Sequence, residues 1–260
     1  MKFVLLPSNA GMHPRAVQVG YPQARWMRAM RQNNEMEHST AIAPNHWEQP
    51  WPCVEILPTL AEVNEQCLEL LAEQALQRAP NGPPIFRELV DLWNQLDTVS
   101  RRRAAACPYL LVDAGFADPY RWRWVGSSRV GDREPMTYTA FFTSQSASRV
   151  AHQVFTNAWY IARTQPLGTP LYLGMPAPCA SLLRACTMRQ VTELANQHAG
   201  WLRPRWSGRV RIWRQLLSAA ISGDALELEM ARLHGVQLLA MELKALEQVN
   251  AKEPRQTVRG

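Results

Sequence analysis

Between Pro58 and Ala79 the apolar residues Leu60, Val63, Cys67, Leu70, Leu71 and Ala75 recur at the spacing of one helix face, with Glu62, Glu65, Glu69 and Glu73 largely off it. The pattern predicts an amphipathic helix with an acidic outer face. Asn81-Gly82-Pro83-Pro84 ends it, and Pro84 suits the first turn of a second helix running through Ile85, Leu89, Leu92 and Leu96 to the Arg101-Arg102-Arg103 triplet. Cations near a helix C-terminus are favoured by its dipole, which gives the triplet a structural role. Cys107–Asp113 and Tyr120–Val125 then read as two short strands, the second alternating strictly, and predict a small β-hairpin. Arg121 and Arg123 would share one face of it, Trp122 and Trp124 the other.

A longer helical pattern runs from Phe141 to about Thr164, with Val150, Val154, Ala158 and Ile161 on one stripe, until Pro166-Leu167-Gly168 stops it. Short helices are expected at Pro170–Leu173, with Gly174 as a left-handed stop, and at Cys179–Cys186. Thr187 and Gln190 have capping-box spacing and open another, Met188–Gln197. The tight junction between these last two resembles the corner of a helix-turn-helix, a signal that any small bundle can also produce. A helix from Val210 to Ile221 follows, and Asp224 caps a final one through Leu226, Met230, Leu233, Val236, Ala240 and Leu243. Leu228, Leu238, Leu239 and Leu246 spread its apolar surface beyond one stripe, so it must bury itself on several sides, which implies a subunit interface.

Residues 1–57 hold no sustained period and are broken by Pro7, Pro14, Pro22, Pro44, Pro50 and Pro52. They read as a loosely structured leader, part of which Trp26, Trp47 and Trp51 would dock. The expected organisation is therefore this leader, a helical and hairpin part over 58–135, an all-helical domain over 136–250 and a tail over 251–260. The polar link Gly126–Pro135 marks the boundary.

Composition changes this picture in one respect. The net charge is +6 with 47% hydrophobic residues; residues 1–150 hold 15 basic and 15 acidic side chains and residues 151–260 hold 13 and 7, so the excess lies in the second part. Within it, Trp201–Arg214 gathers Arg203, Arg205, Arg209, Arg211 and Arg214 with Trp201, Trp206 and Trp213. Guanidinium groups meet phosphates and guanine edges, and aromatics pack beside them. With Arg184 and Arg189 at the helix corner, these arginines are the candidate DNA-binding residues. The competing reading makes the tryptophans core and the arginines their solvated neighbours.

Cys53, Cys67, Cys107, Cys179 and Cys186 show no C-x-x-C spacing and read as reduced, partly buried thiols. No stretch approaches the ~18 apolar residues of a membrane span, so the expected location is the cytoplasm. His198 and His234 have no matching Cys or carboxylate spacing, and no metal or cofactor is expected. None of the P-loop, G-x-S-x-G, H-E-x-x-H or G-x-G-x-x-G motifs occurs, and no catalytic residue is assigned.

Four stretches taken together, Ala162–Met175, Ala180–Ala195, Arg203–Trp206 and Arg232–Leu239, resemble FlhD, a subunit of the bacterial flagellar transcription activator. The most specific part is a leucine-containing short helix followed by Thr-x-x-Gln-Val-x-x-Leu-Ala at Thr187–Ala195. The resemblance implies a mainly α, FlhD-like helical homodimer with intertwined helices, preceded here by the mixed N-terminal part. Val154, Ala158, Ile161, Leu226, Met230, Leu233, Val236, Leu239 and Leu243 are the dimer-interface candidates. It further implies transcriptional activation, with DNA bound directly or alongside an FlhC-like partner protein. The alternative is a regulatory adaptor that kept the dimer and binds another protein.

Overall fold

Asn64 shows how the fold is tied together. It lies on α1 (Cys53–Arg78), fully buried among Leu60, Val63, Cys67, Leu68 and Leu71. Its amide donates to the carbonyls of Ala105 (3.1 Å) and Tyr109 (2.9 Å), and its side-chain oxygen accepts from the Leu111 amide at 2.8 Å. A buried amide so satisfied fixes the chain that crosses it. In this computed structural model the described residues are 53–78, 82–119, 121–122, 140–142 and 145–252, all within one compact unit, Pro50–Gly260. The leader with Trp26, Trp47 and Trp51 up to residue 52, the boundary at Gly126–Pro135 and the tail from residue 253 lie outside the described residues.

Ten α-helices are bounded among the described residues, and the protein is mainly helical. The helix expected from Pro84 to Arg103 is three: α2 (Pro84–Arg87), α3 (Val90–Gln95) and α4 (Thr98–Ala105). Asp97 explains the second break, because its carboxylate accepts from the Ser100 amide at 2.7 Å and so starts a new helix. The Trp93 indole donates to the Ile85 carbonyl at 2.9 Å and holds α2 against α3. The arginine triplet is structural: Arg101 pairs with Glu69 (3.2 Å), Arg102 with Glu65 (3.4 Å), and Arg103 donates to the Ala220 carbonyl.

The structure corrects the hairpin. Strand β1 (Val112–Asp113) pairs antiparallel with β2 (Arg203–Pro204), in register Val112↔Pro204 and Asp113↔Arg203. Pro119, Arg121 and Trp122 are helical, and Arg121 and Trp122 are both buried, which an alternating strand could not achieve; Arg123–Val125 lie outside the described residues.

The central helix is α5 (Gln145–Thr164), which packs against α1 on one side and against α7 (Ala177–Ala185) and α8 (Met188–Gln197) on the other. Between them α6 (Thr169–Leu173) ends at Gly174 in the expected left-handed conformation (φ 64°). The capping box at Thr187 and Gln190 is complete. Helix α9 (Val210–Ser222) turns through Gly223 (φ 75°) into α10 (Ala225–Lys252), whose Asp224 carboxylate accepts from Leu226 and Glu227 amides at 2.9 and 3.0 Å. Gly235 is where α10 meets the Tyr109 side chain; a Cβ there would collide with the Tyr109 hydroxyl.

Candidate functional site

The basic segment divides into an inner and an outer half. Trp201 is buried, stacked on His198 with ring centroids 3.9 Å apart, and Arg121 lies 5.2 Å from its ring. Arg121 itself is 5% exposed and pairs with Asp118 at 3.2 Å. Leu202 is buried and Arg203–Pro204 forms β2, after which Arg205 turns inward. Trp213 is buried at 5.8 Å from Trp93, and its indole donates to the Arg205 carbonyl at 2.8 Å. These tryptophans are core.

Arg205 is a correction to the candidate set. It is 6% exposed; its Nε donates to the Leu110 carbonyl (2.9 Å) and its Nη2 to the Leu173 (2.7 Å) and Val112 (3.5 Å) carbonyls. Burial lowers its pKa, and Asp113, Glu242 and Tyr109 act in the opposite direction. With three N–H donors committed to backbone carbonyls of the 110–112 stretch and of Leu173, Arg205 is not one of the outward-facing arginines. Trp206 follows with φ 54°, the one non-glycine residue at positive φ among those described. Its ring meets Tyr109 edge-on at 5.6 Å and its indole donates to Glu242 at 2.9 Å.

The outer half differs. Arg184, Arg209, Arg211 and Arg214 are exposed and Arg203 is partly so. None of these five forms an ion pair with a carboxylate among the described residues, although Arg214 donates to the Glu88 carbonyl at a long 3.5 Å. Arg211 and Arg214 stand three residues apart on the solvent face of α9. Arg189 is also exposed but spans to Glu193 at 2.9 Å. The corner between α7 and α8 further exposes Leu182 and Met188.

The dimer candidates separate in the same way. Val154, Ala158, Ile161 and Leu239 are fully buried within the chain, so they are corrected to core positions. Leu226, Met230 and Leu233 remain exposed, Val236 and Leu243 partly so.

Sequence reasoning missed one further feature. A groove of about 370 Å³ lies where the Arg205–Gly208 turn faces α10, lined by Asp113, Gly174, Arg203, Trp206, Arg209 and Leu243 among others. A hollow of about 270 Å³ adjoins it, sharing Asp113, Ala117 and Arg203. The signal that could have located it is Trp206, an aromatic placed between a buried arginine and Gly208. Among the described residues no group of three or more His, Cys, Asp and Glu side chains is placed to hold a metal, and no helix is long and apolar enough to cross a membrane. Cys67, Cys107, Cys179 and Cys186 are free and buried, and burial pushes the Cys107 and Cys179 thiols up to about 11. His198 is pushed down to about 4 by burial and then by the Arg121 guanidinium.

Compared with known proteins, the chain matches no protein-family model, no curated protein and no solved structure.

Proposed function

We propose that this protein is a dimeric transcriptional regulator resembling FlhD, binding DNA itself or as a subunit of a DNA-binding complex. The observation that carries this reading is the contrast among its arginines: Arg101, Arg102, Arg121, Arg189 and Arg232 have acidic partners, whereas Arg184, Arg203, Arg209, Arg211 and Arg214 have none among the described residues. Four of these five lie on one segment, Arg203–Arg214, and guanidinium groups without acidic partners supply the electrostatic attraction that polyanions need. The likeness of Ala162–Leu239 to FlhD and the outward apolar residues of α10 support the dimeric part.

The test is fluorescence anisotropy of a labelled DNA duplex titrated with the full chain at rising KCl. Affinity should fall steeply with salt, and an Arg209→Ala, Arg211→Ala, Arg214→Ala variant should lower the log–log slope by about 2 to 3, since each phosphate contact contributes about 0.9. Failure to retain DNA at the lowest salt would refute direct binding. A regulatory adaptor is favoured by one observation: the corner of α7 and α8 offers Leu182 and Met188 to solvent while Arg189 is engaged by Glu193. Apolar side chains there suit a protein surface better than a phosphate backbone.

A further inference from the structure

The groove at the Arg205–Gly208 turn has the make-up of a ligand site. One wall is apolar, formed by Leu239, Leu243 and Leu246 at i, i+4 and i+7 on α10, and Trp206 lines it as well. Sites for small organic molecules combine such walls with a few convergent polar groups. Here those groups are guanidiniums, of Arg203, Arg205 and Arg209.

Arg205 is the informative one. Carbonyls of Leu110, Val112 and Leu173 occupy its Nε and Nη2, while its Nη1 donates to no described residue. That nitrogen stands next to Gly174, where an added Cβ would come within 2.6 Å of it and 3.0 Å of Leu239. A side chain at this position would crowd the groove wall, which glycine leaves clear. The site is thus built around a buried cation held rigidly by three carbonyls, with the two N–H groups of Nη1 to spare. Trp206 is fixed beside it in a left-handed backbone conformation that bulky residues adopt only when their surroundings over-determine it. Its indole bond to Glu242, and the bond from the Arg209 amide to its carbonyl at 2.8 Å, provide that determination.

Charge selects the ligand. Two carboxylates line the groove, Asp113 and Glu242, against three guanidiniums, which leaves one positive charge in excess. Both carboxylates already accept hydrogen bonds, Asp113 from the Phe116 amide at 3.1 Å and Glu242 from Trp206. We propose that the groove binds an amphipathic monocarboxylate, its flat apolar body against Trp206 and the leucines and its carboxylate held by Arg203, Arg209 and the spare Nη1 of Arg205. Arginine suits a carboxylate because its planar fork matches both oxygens.

Isothermal titration of the full chain with 2-naphthoate, without DNA, tests this independently of the regulatory reading. The expected result is saturable one-to-one binding, with the neutral 2-naphthamide weaker by about tenfold or more, as loss of a charge-assisted hydrogen bond requires. An Arg203→Ala, Arg209→Ala variant and a Leu243→Glu variant should each weaken naphthoate by a similar factor while unfolding at the wild-type temperature. Equal affinity for acid and amide, wild-type affinity in both variants, binding of inorganic phosphate in place of naphthoate, or no saturable heat would each overturn the proposal. Should Leu243→Glu disturb the fold, the double arginine variant decides, because both of its side chains reach solvent.

Discussion

On α5, Val154, Ala158 and Ile161 are enclosed within the chain, facing helices of the same core, while on α10 Leu226, Met230 and Leu233 stand 74%, 61% and 48% exposed. Both sets were legible as apolar stripes. Helix α10 has already buried Leu228, Ala231, Leu238 and Leu239 on its inner side, and its outer stripe is interrupted by the polar Gln237 before it reaches Ala240, all at the spacing by which two helices pack together. A period states which side of a helix is apolar; whether the covering surface comes from the same chain depends on what the remaining helices can reach. The basic segment repeats the lesson, with Arg205 drawn into the core and Arg209, Arg211 and Arg214 left outside.

The largest expected effect lies on the inner side of this contrast. Ile161→Ala on α5 should cost about 3 kcal/mol, the loss typical of a fully enclosed aliphatic side chain, read as a drop in urea midpoint. A change below about 1 kcal/mol would mean that α5 is not core in solution. Arg205→Ala comes next. It strips donors from three carbonyls and should cost about 3 kcal/mol, with Arg205→Lys restoring only part because an ammonium cannot span the three acceptors.

A smaller effect comes from His198. Its folded pKa, about 4, lies below its unfolded value near 6.5, so between these limits the unfolded chain binds the proton more tightly. The contribution of the neutral ring is therefore complete above pH 6.5 and declines as pH falls toward 4. Because the ring is partly exposed, the loss should be on the order of 1 kcal/mol. The melting temperature of His198→Gln should fall less steeply than that of the native chain over this window; parallel curves would contradict the assignment.

Much of the fold was legible where a local rule applies. The capping box at Thr187, the Asp224 cap, the Gly174 stop and the long helix of Val154 and Ile161 all follow from neighbours a few residues apart. What could not be read depends on partners far along the chain. The Val112↔Pro204 pairing replaced the local hairpin because Leu110, Leu111 and Val112 are held by Tyr172, Asn64 and Arg205, none of which lies near them in sequence. Arg205 was misplaced for the same reason: arginine is usually a surface residue, and only three remote carbonyls make its burial tolerable. The breaks within 84–105 did leave a local trace, Asp97 ahead of Ser100, which the apolar pattern obscured. Of the candidate site, the outward arginines were legible as a charge cluster, while the groove required the fold.

The stripe on α10 carries the central claim, and sedimentation equilibrium tests it most directly. The native protein should run at twice the 29.5 kDa chain mass, and a Met230→Glu, Leu233→Glu variant should fall to the single-chain mass with its helical content unchanged. A native chain that stays at 29.5 kDa across all concentrations, or a variant that dimerises as well as the native protein, would contradict the account.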